Sequence, residues 1–143
     1  MRAVAVELRA LGDTDPLWRD WLTDAARRYR VDVGALDEQL PNWRPLLERF
    51  AEERAPVYLR RDAEVSEQLR RLHAGGVRIG VFTDAPPELA RIALSHLGAD
   101  GRVSDVEAGA GARERLLERL GPDAAVVQTR AELLGLGSAC DAD

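Results

Sequence analysis

The chain contains no lysine; all 20 residues that carry a fixed positive charge are arginine. This excludes any mechanism that needs an ammonium point charge, because a planar guanidinium does not present the same geometry to a phosphate. A GC-rich coding sequence is enough to explain the bias. Cysteine is nearly as scarce. The one thiol, Cys140 in the tail GSACDAD, rules out an intrachain disulfide and a cysteine metal cluster, and is expected to be incidental. No apolar run approaches the roughly 18 residues of a membrane-spanning helix. Nor is there a block of positive charge: the formal charge is −5, with arginines scattered among acids, as in RYRVD and ERFAEER. Such a surface lacks the footprint of a nucleic-acid binder. The opening MRAVAVELRALGD holds Glu7 and no small-residue cleavage site, so it is expected to be a first strand rather than a secretion signal, in a cytoplasmic protein.

What is present suits one globular domain over residues 1–143, with 45% apolar and 31% charged residues. RAVAVEL (2–8) and VRIGVF read as buried parallel strands, GRVSDVE as a shorter one and AAVVQ as a fourth. Between the first two, Leu17, Trp18, Trp21, Leu22, Ala25 and Tyr29 recur at helical spacing from Pro16 to Arg30, with Asp15 as N-cap. A short helix is expected after Asp32, and PLLERFAEERA should be a third, ending before Pro56. DAEVSEQLRRLHA, PPELARIALSHLG and GARERLLERLG are further helices, and TRAELLGLG a final helical turn or two. Strands alternating with helices specify an α/β domain with a parallel sheet and right-handed crossovers.

Ligands bind such sheets outside the carboxyl ends of the strands. The residues predicted to converge there are Glu7, Thr83 to Ala85, Glu107 to Gly111, and Gln128 to Glu132. Each has a plain reading beside a functional one. Thr83 in VFTDA either binds an anion, with Asp84 beside it, or simply ends a buried strand. Gly109 and Gly111 of AGAG either cradle a phosphate at a helix N-terminus or form an ordinary loop. Glu7 and Glu132 either share a divalent ion, or stand solvated at the cleft mouth, or pair with Arg9 or Arg130. His73 and His96 lie late in helices before glycine stops, where the helix dipole favours them without catalysis.

The ordered set from Asp62 to Leu134 (helix, double glycine, apolar strand ending in threonine, helix ending in LG, short strand, glycine loop, helix, apolar strand) resembles the haloacid dehalogenase-like superfamily, most of whose members are phosphatases. The resemblance implies a three-layer Rossmannoid fold, with residues 10–60 in the place of a helical cap, here much reduced. It also implies a DxD pair at the end of the first strand, one aspartate attacking phosphorus and the other exchanging the proton. Here the matching positions are Glu7 and Arg9; a register using Asp13 and Asp15 would move the nucleophile six residues along the chain. Glutamate is a methylene too long for the same in-line placement, and arginine cannot exchange a proton near neutrality. The phosphate-binding threonine is matched by Thr83. The family lysine has no counterpart, leaving Arg113 or Arg102 as nearby positive charge. The magnesium-holding acidic pair corresponds to Gln128 and Glu132, and an amide in place of a carboxylate removes charge that the ion needs.

Three departures out of four predict a retained fold with lost chemistry: a pseudophosphatase that binds a partner or small anion and needs no cofactor. The alternative is a divergent phosphatase requiring Mg2+ and acting on a small phosphorylated metabolite. Trp18, Trp21 and Trp43 all fall in the cap-like segment, where helical spacing favours packing and their concentration suggests a protein partner or homodimer.

Overall fold

A computed structural model describes residues 1–141, with side chains described through residue 136. The reading of Cys140 lies outside the described side chains. The strands are β1 (Ala3–Glu7), β2 (Arg78–Thr83), β3 (Asp105–Ala108) and β4 (Ala125–Val127). All pair in parallel in the order β3-β2-β1-β4, so β1 is central and the chain reverses its direction of winding across it. The helices are α1 (Asp15–Tyr29), α2 (Leu36–Gln39), α3 (Trp43–Tyr58), α4 (Ala63–Ala74), α5 (Pro87–His96), α6 (Ala112–Leu120) and α7 (Arg130–Asp141). None of the described helices is long and apolar enough to cross a membrane.

Alternation along the strands divides the core in two. Val4 and Val6 of β1, with Ile79 and Val81 of β2, face a large cluster that includes Leu17, Leu47, Leu69, Leu89 and Leu133 from α1, α3, α4, α5 and α7. Ala5 and Phe82 face the other way, onto Ala112 and Leu116 of α6. Helix α6 approaches this side so closely that a Cβ on Gly80 would lie 2.7 Å from Leu116 Cδ1. The sheet is thus a middle layer with helices on both faces.

The edge strand β3 departs from apolar alternation. Asp105 and Glu107 take the face toward α6 and are held by arginines, Asp105 by Arg78 of β2 and Arg119 of α6 and Glu107 by Arg115 and Arg119 of α6. Asp105, 3% exposed, receives Arg78 Nε at 2.7 Å, Arg78 Nη2 at 2.9 Å and Arg119 Nη2 at 2.9 Å. Glu107 receives Arg115 at 2.9 Å and Arg119 at 2.6 Å. These guanidinium hydrogen bonds, Arg78's on Asp105 and Arg115's on Glu107 foremost, hold both carboxyls below their ordinary pKa.

Several sequence boundaries move. Thr14 rather than Asp15 occupies the N-cap of α1, and the carboxylate of Asp13 accepts the Asp15 N–H at 3.0 Å. Helix α3 runs past Pro56 to Tyr58, because a proline in the last turn leaves only the carbonyl of exposed Glu52 unpaired. Pro45 falls in the first turn of α3, where its missing N–H had no intrahelical partner. Helix α7 continues through Gly135, longer than a turn or two. Its Leu133 is fully buried, and Gln68 Nε2 of α4 donates to the Leu133 carbonyl at 2.9 Å.

Candidate functional site

The carboxyl ends of the strands open into a cleft of about 290 Å3, lined by Glu7, Thr83, Asp84, Arg113, Gln128 and the loop Gly109 to Ala112. The sequence separates these residues widely; the parallel sheet brings them to one edge. Glu7 is the last residue of β1, in register with Phe82, and Thr83 ends β2 one step further on.

Glu7 is not free within this cleft. Arg9, in the 3-10 turn Leu8–Ala10 that follows β1, places Nη2 at 2.8 Å from Glu7 Oε1. The alternative register fails on position: Asp13 and Asp15 lie beyond that turn, at the start of α1, and neither lines this cleft. Thr83 is 7% exposed, and its Oγ1 accepts the Ala85 N–H at 3.2 Å, which shapes the turn into α5. Its carbonyl accepts the Gly109 N–H at 2.9 Å, tying the ends of β2 and β3 together.

The loop from Ala108 to Gly111 turns through two left-handed residues, Gly109 (φ 89°) and Gly111 (φ 75°), conformations that glycine adopts without a Cβ penalty. Gly111 is the N-cap of α6, so the cleft faces the amide end of that helix. Arg115 holds the loop from beneath, donating through Nη2 to the Ala108 carbonyl at 2.8 Å and through Nη1 to that of Ala110. Sequence reasoning passed over Arg115. Its signal was the spacing: four residues past Gly111, one helical turn, with the side chain directed back toward the helix N-terminus. Arg113 does line the cleft and forms no ion pair among the described residues. Arg102 does not: it precedes β3 and lines a separate hollow with His73 and Val77, at the amino ends of the strands.

Gln128 lines the cleft, but Glu132 is not among its lining residues. Glu132 is engaged at the start of α7, where its N–H donates to Thr129 Oγ1 at 3.1 Å and that hydroxyl donates back to Glu132 Oε1 at 3.3 Å. This is a capping pair, and its local role accounts for the acid at that position. Among the described residues no three His, Cys, Asp or Glu side chains gather closely enough to hold a metal ion. At the two positions that the resemblance assigns to magnesium, Glu7 is already bonded to Arg9 and Gln128 is a neutral amide, and the other acids lining the cleft, Asp84 and Glu114, do not gather with Glu7 into a metal-holding group.

A second cavity, about 420 Å3, lies beside the first and shares Asp84 with it. Its other walls come from the segment between β1 and α4, including Asp15, Trp18, Leu36, Asp37 and Trp43, and from Ala85 and Pro86 in the turn after β2. The three tryptophans form one cluster, Trp18 over Trp21 at 5.6 Å between ring centroids and Trp43 at 5.9 Å from Trp21. Trp21 and Trp43 are buried and Trp18 half-buried.

No family model matches the chain, and no curated protein matches it in sequence. Among solved structures it is similar to a putative β-phosphoglucomutase from Thermotoga maritima, with a TM-score of 0.56 and 16% identity over 94% of this chain and 82% of that one. An identity this low speaks for the fold alone. With its all-parallel sheet in the order β3-β2-β1-β4 between two helical layers, the chain carries the haloacid dehalogenase-like fold.

Proposed function

We propose that this protein is a catalytically degenerate member of the haloacid dehalogenase-like group, a pseudophosphatase whose cleft binds a small anion or a partner without turnover. One observation carries the reading: the Arg9 guanidinium sits 2.8 Å from the Glu7 carboxylate, at the position where a phosphatase of this fold needs a free nucleophile and an acid–base group. An arginine-paired carboxylate is a poor nucleophile, and arginine cannot take over proton transfer. Anion binding is supported by the amide end of α6, the glycine loop and Arg113. On this reading the helices from α1 to α3 act as a reduced cap. A partner or second copy reaching them would meet Trp18, the half-buried member of the cluster.

The test is magnesium-dependent hydrolysis of an aryl phosphate and a panel of small phosphate esters, run with Glu7→Ala and Thr83→Ala proteins in parallel. The expected result is no turnover above what survives both substitutions. Turnover abolished by both would establish a divergent phosphatase and overturn the proposal.

A further inference from the structure

We propose that the cavity between the tryptophan cluster and the turn after β2 binds an organic cation, an ammonium or guanidinium group. Its lining includes two tryptophans, half-buried Trp18 and buried Trp43, and three exposed aspartates from separate elements: Asp15 in the first turn of α1, Asp37 in α2 and Asp84 in the turn after β2. Among the described residues none of the three takes part in an ion pair, although arginines engage Glu7, Asp24, Glu48, Asp62, Glu67, Glu88, Asp105 and Glu107 elsewhere. Like charges around one hollow repel, and a cation placed among them relieves that repulsion. Asp37 is fixed in place by Trp43, whose Nε1 donates to Oδ1 at 2.8 Å, so carboxylate and indole are held as a unit.

The chain already shows the chemistry. Arg44 places its guanidinium carbon 4.4 Å from the centroid of Trp43, while its own charge is met by Glu88 at 2.6 Å. Aromatic faces backed by carboxylates are the arrangement that recognises ammonium and guanidinium groups, through the ring quadrupole and charge together. At about 420 Å3 the cavity suits a small molecule or the end of one side chain. This inference goes beyond the pseudophosphatase reading and does not rest on it, since it concerns a neighbouring cavity that has only Asp84 in common with the cleft and a ligand of opposite sign.

The experiment follows the intrinsic tryptophan fluorescence of the full chain during titration with choline and with agmatine at constant ionic strength. The uncharged isostere 3,3-dimethylbutan-1-ol and sodium chloride serve as controls, and an arginine-bearing peptide amide as a further arm. Saturable responses to the cations and none to the controls are expected. Asp37→Asn and Asp84→Asn should each weaken binding about two- to fivefold, with Asp123→Asn unchanged. A tighter response to the peptide assigns the cation to a partner's side chain, and a tighter response to choline or agmatine assigns it to a free small molecule; both support the site. No saturable response, an equal response to the neutral isostere, or affinities unmoved by both cavity variants in proteins with unchanged thermal midpoints would overturn it.

Discussion

Gly80 shows how a single missing side chain sets the depth of a layer. It is buried at the centre of β2, and a Cβ there would meet Leu116 Cδ1 at 2.7 Å and Leu120 Cδ1 at 3.1 Å. Leu116 is fully buried and has nowhere to retreat. Gly80→Ala should therefore destabilise the protein by about 1–3 kcal/mol through overpacking, read as a lower urea midpoint with an unchanged slope. A destabilisation within measurement error would mean that α6 sits further from the sheet than described. Nothing in VRIGVF announces this: a glycine within a strand signals close approach of something, but not which helix arrives. Glu7 and Thr83 were legible for a different reason. Each ends an apolar run, and the end of a parallel strand is where side chains leave the core. The partner of Glu7 was one of two arginines the sequence left open; the 3-10 turn, which brings Arg9 back toward the strand end, decides between them.

Among the elements, α4 is the clearest case of local sequence sufficing. Asp62 caps it, accepting the N–H of Glu64 at 3.0 Å and of Val65 at 3.2 Å, and is also held by Arg130 Nε of α7 at 2.6 Å. Asp62→Ala should cost about 0.5–2 kcal/mol, the usual range for loss of an N-cap, measured as a fall in thermal midpoint. Asp62→Asn, which keeps the cap but weakens the Arg130 bond, should recover most of it. If Asn recovers nothing, the tie to α7 rather than the cap carries the stability. Helices α3 and α7 were misread at their ends for related reasons. Pro56 and Gly135 are breakers by propensity, yet each lies in a helix already anchored by buried side chains, Ala55 in one and Leu133 in the other. Tertiary burial outweighs a local preference of this size. For Glu132, which the resemblance matched to a metal-holding acid, the geometry shows a local role: its N–H and carboxylate pair with the Thr129 hydroxyl as in a helix cap.

Across the whole molecule the arginine-only composition becomes an architecture. Arg115 and Arg119 fasten the edge strand β3 to α6 and Arg78 fastens it to β2, through Asp105 and Glu107, replacing the apolar contact that β1 and β2 make on the same face. Because the Asp105 carboxyl is held below its ordinary pKa when folded, the unfolded chain takes up this proton first as the pH falls. Its contribution is therefore complete above about pH 5, and is lost on acidification from about pH 4 downward through the depressed folded value. Urea midpoints between pH 7 and pH 3 should be level at the upper end and fall at the lower. Asp105→Asn should be less stable at neutrality, with Arg78 and Arg119 short of a carboxylate, and should show a shallower acid limb. An acid limb identical to that of the parent would remove Asp105 from the account. The parallel sheet was legible from the alternation of strand and helix; its strand order and this polar face of β3 were not, because period-two alternation marks a strand without saying which neighbour it pairs with or what satisfies its charged side.

Asp84 stands in the wall of both cavities. On the two proposals above, a charge held in common would link the two occupancies thermodynamically. An anion settling beside the glycine loop would deepen the negative potential that a cation meets across Asp84, so each would strengthen the hold on the other, and by the same factor in both directions.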